Sequence, residues 1–131
     1  MYEKFTVEII TPDRTMLKSE SEEITIPSFE GQMGILRDHI PLITFLRPGF
    51  ITIKNGDKKK FFVEEGVVEF SNNNLLILTS KIKDLKEFDQ SSIENLIQEA
   101  QKKLNKNSSD KEKYIISYKI DALKEINRLV N

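Results

Sequence analysis

The stretch that decides the fold of this chain is Glu30-Gly31-Gln32-Met33-Gly34-Ile35-Leu36-Arg37-Asp38-His39-Ile40-Pro41-Leu42. Two glycines, a proline and the only histidine of the chain lie here among aliphatic residues. Glycine permits torsions and close approaches that a side chain forbids, and proline fixes φ and removes a hydrogen-bond donor. The stretch therefore cannot be a regular central strand. We expect a specifically shaped segment; the alternative is a glycine-kinked loop with a partly buried histidine in any β-rich domain.

Outward from this stretch, the first part of the chain has the pattern of short strands separated by turns. Asn55-Gly56 lies between two strand-like runs and Asn72-Asn73-Asn74 between two more, and both suit tight hairpin turns. Glu23-Ile24-Thr25-Ile26 alternates in polarity and stops at Pro27. The same period-two alternation is shown at the start of the chain by Phe5, Val7 and Ile9. These signals predict an antiparallel β-sandwich over residues 1–84.

The composition changes near Asp84. All five glycines and all four prolines precede residue 67, and polar residues around spaced aliphatics follow. Ser91-Ser92-Ile93-Glu94 and Ser109-Asp110-Lys111-Glu112 fit capping boxes at two helix starts. Two stripes at helical spacing follow them, Ile93, Leu96, Ile97, Ala100 and Leu104, then Ile115, Tyr118, Ala122, Leu123, Ile126, Leu129 and Val130. The fold class is therefore α+β, with the sandwich followed by an antiparallel two-helix hairpin over residues 88–131.

The hairpin is physically marginal on its own. Isolated helices of about 12–15 residues are barely stable in water, and each helix here has one apolar stripe. The hairpin therefore needs the sandwich or another protein to hold it. Two interpretations stay open, a moving regulatory part and a hairpin permanently packed on the sandwich.

The run from Leu42 to Leu46 is apolar at nearly every position. A strand with no polar face in a small sandwich indicates that its outer side is covered. The sequence leaves two candidates for that cover, a partner subunit and the helical hairpin.

Composition excludes several functional classes. The chain has 131 residues with 20 basic and 21 acidic side chains, so nothing favours a nucleic-acid partner. It has no cysteine, which excludes thiolate metal sites and cysteine nucleophiles. No stretch has the apolar length of a membrane span or signal peptide, so we expect a soluble, intracellular protein.

The sequence also lacks the residue patterns of an active site. No glycine-rich phosphate loop is present, and one histidine without cysteine makes a zinc site improbable. His39 has no serine elbow beside it, and its neighbour Asp38 is poorly placed to orient the ring. We therefore expect a structural or interface role for His39, and no catalysis, metal or cofactor.

Taken in order, the motifs resemble those of the epsilon subunits of F-type ATP synthases. The similarity includes the opening strand and turn from Phe5 to Arg14, the segment Glu22 to Pro27, and the pattern G-x-x-G-I-L-x-x-H-x-P-L within residues 30–42. Leu46-Arg47-Pro48-Gly49 resembles the L-x-P-G motif of that family, and the helical tail matches in length and order. Glu65 departs from the family, which usually has a second glycine there.

The resemblance implies a noncatalytic central-stalk subunit, which helps fix the gamma subunit to the c-subunit ring and so couples proton-driven rotation to ATP synthesis. It implies a peripheral protein at the cytoplasmic face of the bacterial inner membrane, touching the membrane only through the complex. Glu30, Gly31, Gln32 and Met33 are expected to contact the ring. Gly34 is expected at the interface too. His39 with its neighbours, including Pro41, and the strand from Leu42 to Leu46, including Phe45, are expected to face gamma.

In many members of this family the hairpin extends toward the alpha and beta subunits and inhibits ATP hydrolysis. Some bacterial members bind ATP through a pattern like I/L-D-x-x-R-A, whose positions correspond here to Phe88-Asp89-Gln90-Ser91-Ser92-Ile93. Asp89 is kept, and Ile93 replaces the alanine. Ser92 replaces the arginine, which removes the charge-assisted phosphate contact, so we expect no useful ATP binding. Gln32 stands where many members have an acidic residue.

Two other classes of function are weighed against the rotor subunit. An enzyme would need a polar pocket that the sequence does not show. A stand-alone β-sandwich binding module would purify alone instead of with gamma.

Overall fold

The structure is a computed structural model that describes residues 3–106 and 109–130. The strands are β1 Phe5–Ile10, β2 Thr15–Ser21, β3 Glu23–Ser28, β4 Gly31–Leu36, β5 Leu42–Leu46, β6 Gly49–Asn55, β7 Asp57–Val63, β8 Gly66–Ser71, β9 Asn74–Leu78 and β10 Ile82–Asp84. A 3-10 turn at Leu85–Glu87 leads to the helices α1 Gln90–Asn105 and α2 Asp110–Val130. The predicted α+β class, with a sandwich followed by a hairpin, is confirmed.

The strands form one continuous hydrogen-bonded path in the order β10-β7-β6-β3-β5-β8-β9-β1-β2, with β4 paired to β3. Every pairing along this path is antiparallel except β1 with β9, which is parallel. Here the sandwich differs from the all-antiparallel expectation. The physical reason is that β1 and β9 belong to different hairpins, so no short turn fixes their relative direction.

Strand β3 links the two layers of the sandwich. Its first half pairs with β6, and its last residue pairs with β5. The strand continues through Pro27, where the alternation predicted that it would stop. Pro27 is tolerated because it lies between these two pairings, where no neighbouring strand needs its missing N–H. Its carbonyl still accepts a hydrogen bond from the Arg47 backbone.

The decisive stretch contains an edge strand. β4 spans Gly31–Leu36 and pairs only with β3 in the described part of the chain, which agrees with the prediction that the stretch is no central strand. Gly31 has a φ of 123°, a conformation that favours glycine and forms the turn into the strand. Gly34 has no such constraint: a Cβ there would meet only the Glu23 carboxylate, at 3.8 Å.

The turns between β6 and β7 and between β8 and β9 follow the sequence prediction. Gly56 has a positive φ in the first turn, while Asn55 does not. In the second turn, Asn72 and Asn73 both have positive φ, at 50° and 59°. Asparagine tolerates this left-handed conformation, which is why a run of asparagines can replace glycine there.

Two separate hydrophobic cores hold the molecule together. The first lies between the sandwich layers and includes Ile51, Phe61 and Phe70. The second, which we call the hairpin core, contains Phe62 from β7 and the buried hairpin residues Phe88, Ile93, Ala122, Leu123 and Ile126. Phe61 and Phe62 point to opposite faces of β7 because successive strand residues alternate. The hairpin therefore covers the outer face of β6 and β7.

The two helices are antiparallel, as predicted. Ile93 near the start of α1 packs with Ile126 near the end of α2. The cap of α1 differs from the prediction, because Asp89 is the N-cap and its carboxylate accepts a hydrogen bond from the Ser92 backbone at 2.8 Å. The Ser109 cap of α2 is confirmed by its bond from the Glu112 backbone at 3.2 Å. The Val130 side chain lies outside the described part of the chain.

Candidate subunit interface

The most exposed apolar surface of the sandwich lies on the outer face of β5. Ile43 and Phe45 alternate with the buried Thr44 and Leu46, and their exposed fractions are 70% and 61%. The hairpin lies on β6 and β7, so it does not bury these two side chains. Of the two candidates that the sequence left open for this strand, the hairpin is therefore excluded as the cover in this conformation.

The turn between β3 and β4 is fixed against one end of β5. The buried hydroxyls of Ser28 and Thr44 form a hydrogen bond of 2.9 Å. The backbone of Phe29 donates to the Phe45 carbonyl at 3.1 Å, and the Glu30 backbone donates to the Ser28 hydroxyl at 3.1 Å. Glu30 is thus exposed on a turn whose backbone is held rigidly beside Phe45.

The loop between β4 and β5 is fixed at the opposite end of the sandwich. Asp38 has a positive φ of 67°, its backbone donates to the Asn73 side chain at 2.7 Å, and Asn73 donates back to its carboxylate at 3.0 Å. The His39 ring packs edge-on against Phe70, and its Nδ1 lies 2.7 Å from the Ile40 carbonyl oxygen. The loop presents Ile40, which is 74% exposed.

The predicted interface residues therefore fall into separate places. Glu30, Gly31, Gln32 and Phe45 lie toward one end of the sandwich, and His39, Pro41 and Leu42 lie at the other. Met33 and Leu42 are partly buried against the main core, so they offer little surface. Gly34 is exposed on the edge strand.

Sequence reasoning missed several exposed apolar residues of this surface. The missed residues are Phe29, Leu36 and Leu78, which are between 41% and 56% exposed. Ile43 lies within the strand Leu42 to Leu46 that was expected to face gamma, and it shares a face with Phe45. The exposure of Leu78 depends on the place of β9 in the sheet, for which the sequence gives no local signal.

Two polar contacts join described residues of α2 to the sandwich. The Arg47 guanidinium lies 4.1 Å from the centre of the Tyr118 ring, a cation–π contact. It also donates to the carbonyls of Ser28 and Pro48. Lys119 forms an ion pair with Glu64, and both side chains are more than two-thirds buried. Both contacts come from the middle of α2.

Tyr114 continues this cluster along α2. Its hydroxyl lies 2.9 Å from that of Tyr118, and this hydrogen bond raises the pKa of Tyr114 above its usual value. Tyr114 is 49% exposed. The pair stacks edge to face, with ring centres 4.8 Å apart.

The residue that matches the acidic position of the ATP motif already has a structural role. The Asp89 carboxylate accepts hydrogen bonds from the Ser92 backbone and from the Ser91 hydroxyl, at 2.8 and 3.0 Å. These hydrogen bonds lower the pKa of Asp89, and the bond from the Ser92 backbone has the largest effect. The carboxylate thus caps α1, and Ser92 supplies no cationic group for a phosphate.

No cluster of His, Asp or Glu side chains suited to hold a metal ion occurs among residues 3–106 and 109–130. Neither described helix has the length and apolarity needed to cross a membrane.

Comparison with known proteins identifies the family. Residues 4–84 match the family model for the ATP synthase, Delta/Epsilon chain, beta-sandwich domain. The ATP synthase epsilon chain of Pelagibacter ubique is 46% identical over 97% of this chain and 100% of the relative. The ATP synthase epsilon chain 2 of Nitrobacter hamburgensis is 31% identical over 94% of this chain and 91% of the relative.

Solved structures show the same fold at low identity. A chain in the Euglena gracilis mitochondrial ATP synthase structure, containing OSCP, F1 and c-ring, superposes with a TM-score of 0.78 at 19% identity, covering 98% of this chain and 82% of that one. A chain in the central stalk and c-ring structure of the Tetrahymena thermophila enzyme gives 0.64 at 17% identity, covering 99% and 98%. With the family match over the sandwich and the full-length identity to an epsilon chain, this protein belongs to the ATP synthase epsilon-chain family.

Proposed function

We propose that this chain is a noncatalytic subunit of the central stalk of an F-type ATP synthase, where it helps fix the gamma subunit to the c-subunit ring. The observation that carries the proposal is the 46% identity to an ATP synthase epsilon chain over nearly the whole length of both proteins. The subunit thereby couples rotation of the ring to ATP synthesis and has no active site of its own. It is peripheral to the membrane, and we assign it to the cytoplasmic face of the bacterial inner membrane.

Gamma is the partner that we assign to the outer face of β5. The exposed fractions of Ile43 and Phe45 support this assignment, because monomeric proteins seldom leave large neighbouring apolar side chains in water. The loop that carries His39 and Pro41 extends this face at one end. Its reciprocal Asp38–Asn73 bonds hold it in one shape, so little conformational entropy is lost on binding.

The c-subunit ring is the partner that we assign to the turn and edge at Glu30, Gly31, Gln32 and the partly buried Met33, with Gly34 next to it. The turn is held by Ser28 and Thr44, so it presents a fixed backbone to a partner. Gln32 is uncharged, so we expect this contact to depend on hydrogen bonds and shape more than on charge pairing.

Purification of the tagged protein from native membranes tests the assignment. We expect gamma and the c subunits to be recovered with it, along with alpha and beta. Recovery of the tagged chain alone would instead support a stand-alone binding module. Phe45→Ala should weaken binding to purified gamma by about 10- to 30-fold, the effect of losing a well-buried aromatic anchor. Lys59→Ala, on the solvated β6–β7 hairpin, is the control that should change binding little.

For the hairpin we propose a regulatory role, in which an extended state contacts alpha and beta and slows ATP hydrolysis. The separate hairpin core supports this, because release of the hairpin leaves the main core of the sandwich in place. A chain that ends at Glu87 should fold, assemble and support ATP synthesis. Hydrolysis by that complex should be equal to or faster than that of the full-length form. Loss of proton-coupled synthesis would show that the hairpin is part of the coupling machinery.

A further inference from the structure

An apolar groove of about 450 Å³ lies where the sandwich meets the first half of α2. Its sandwich wall includes Phe29, Phe45 and Leu78, and its hairpin wall includes Lys111 and Ile115. Phe45 and Leu78 are 61% and 44% exposed although they line a concave surface. A volume of this size falls within the range of about 300–1,000 Å³ typical of binding pockets. It accommodates a few side chains of a partner segment and not a whole helix.

We propose that this groove binds an apolar segment of gamma that carries basic residues beside its apolar side chains, so that one segment contacts both the sandwich and the docked hairpin. The inference rests on the proposed function, because gamma is the partner assigned to the outer face of β5. The occupant follows from continuity, since Phe45 belongs both to that face and to the groove wall. A segment lying along β5 therefore reaches the groove without leaving the interface.

The acidic residues on the sandwich side of the groove favour basic residues beside the apolar side chains of this segment. Glu65 lies at the groove with its carboxylate exposed, where it accepts a hydrogen bond from Ser80 at 2.9 Å. Glu69 pairs with Ile43 across β8 and β5 and is exposed on the same outer face. Glu64 is already paired with Lys119. The carboxylates of Glu65 and Glu69 thus face a partner on the sandwich side, where lysine or arginine complements them.

Because the groove has one wall on the hairpin, binding in the groove depends on the docked hairpin, whereas binding to the β5 face alone does not. Undocking of the hairpin removes Ile115 and Lys111 and leaves a half-groove on the sandwich. A segment that contacts both walls consequently binds the docked state more tightly, and by linkage its binding stabilises docking by the same factor. Gamma would therefore favour the docked hairpin through this groove.

The test measures binding of the purified full-length chain to purified gamma by calorimetry. Ile115→Asp, in the hairpin wall, should weaken binding by tenfold or more. Leu129→Asp, at an exposed position on α2 outside the groove, is the matched control and should stay within twofold of the parent. Leu78→Asp, in the sandwich wall, repeats the test without touching the hairpin. Addition of gamma should also increase the fraction of docked hairpin, measured by energy transfer between dyes on α2 and on the β6–β7 turn.

The outcomes separate the groove from the interface on which it depends. Ile43→Asp lies on the β5 face outside the groove, and it should weaken gamma binding in either case. Unchanged binding of that variant would overturn the assigned gamma face itself. If Ile43→Asp weakens binding while Leu78→Asp and Ile115→Asp do not, the groove proposal is wrong and the interface stands. If Ile115→Asp releases the hairpin, Leu78→Asp alone decides.

Discussion

Leu123→Ala should release the hairpin from the sandwich without unfolding the sandwich. Leu123 is fully buried in the hairpin core, where it packs with Phe62 of β7 and with Ile93 and Ile126 of the helices. Replacing a buried leucine by alanine costs about 2–5 kcal/mol, through lost transfer free energy and the cavity that remains. Because the substituted residue lies outside the main core, the loss falls on the equilibrium between docked and undocked hairpin.

The size of the expected change follows from that free energy. A loss of about 2–5 kcal/mol lowers the docking equilibrium constant by roughly 30-fold to several thousand-fold. Helices that have one apolar stripe are held mainly by tertiary packing, so a docking free energy of a few kcal/mol is largely removed. Helical amides that depend on docking then exchange with solvent at rates close to those of an isolated hairpin.

Hydrogen exchange measured by mass spectrometry on the full-length chain resolves the two parts. Peptides from α1 and α2 should lose protection, while peptides from β3, β8 and β9 should keep theirs. Leu129→Ala is exposed at the end of α2 and should leave both unchanged. Ile77→Ala, in the main core, should lower protection in the strands. An equal loss of protection in strands and helices of Leu123→Ala would refute the reasoning, because the two cores would then unfold as one unit.

Three further predictions follow from single positions. Gly66→Ala should destabilise the chain by about 1–3 kcal/mol, since its Cβ would lie 2.8 Å from the Leu78 carbonyl oxygen. Gly34→Ala, whose Cβ would meet only the Glu23 carboxylate at 3.8 Å, should leave the thermal transition nearly unchanged. The cap of α1 should weaken in acid, because folding lowers the pKa of Asp89. The contribution of Asp89 to helix stability is therefore present above its usual pKa of 3.8 and is lost as the pH falls through the lowered pKa. Hydrogen exchange of α1 amides between about pH 2 and 6 measures this loss. Calorimetric titration with ATP should be flat. A dissociation constant in the low micromolar range would contradict the expectation that Ser92, in place of arginine, removes ATP binding.

Local signals were sufficient for most of the secondary structure. Alternating residues predicted β1, and the run Asn72-Asn73-Asn74 predicted the β8–β9 turn, because both depend on nearest neighbours along the chain. The α1 cap was misplaced by two residues, since serine and aspartate compete for the same role and only the geometry of the chain entering the helix decides. The sequence predicts that β3 ends at Pro27, because proline has no N–H to donate. The missing N–H matters only where a partner strand offers an acceptor, which a sequence pattern does not show.

Long-range arrangement was beyond the reach of the sequence pattern. The parallel pairing of β1 with β9 joins residues about 70 positions apart, and no turn between them records its direction. For the same reason, the sequence left open which outer face the hairpin covers. Phe50 and Phe62 on one face and Ile43 and Phe45 on the other are equally apolar in sequence. Only the packed structure shows that the first pair meets the hairpin and the second stays exposed.

The hairpin is held differently at its open end and along the middle of α2. Near the start of α1 and the end of α2, Ile93, Leu123 and Ile126 are fully buried in the hairpin core. Along the middle of α2, the contacts to the sandwich include the Arg47–Tyr118 and Glu64–Lys119 pairs. Polar contacts of this kind contribute less than buried apolar ones, because their charged groups lose solvation when the contact forms, so opening should begin at the end where the helices connect.

The groove lies beside this weakly held end, because Lys111 and Ile115 come from the first turns of α2. An apolar segment placed there adds contacts to this part of the hairpin, where Ile115 is only partly buried. The same segment would be lost as the helices separate, so its binding opposes the first step of opening. The position of the groove thus connects the exposed β5 face, which is the proposed gamma interface, to the part of the hairpin whose movement costs least.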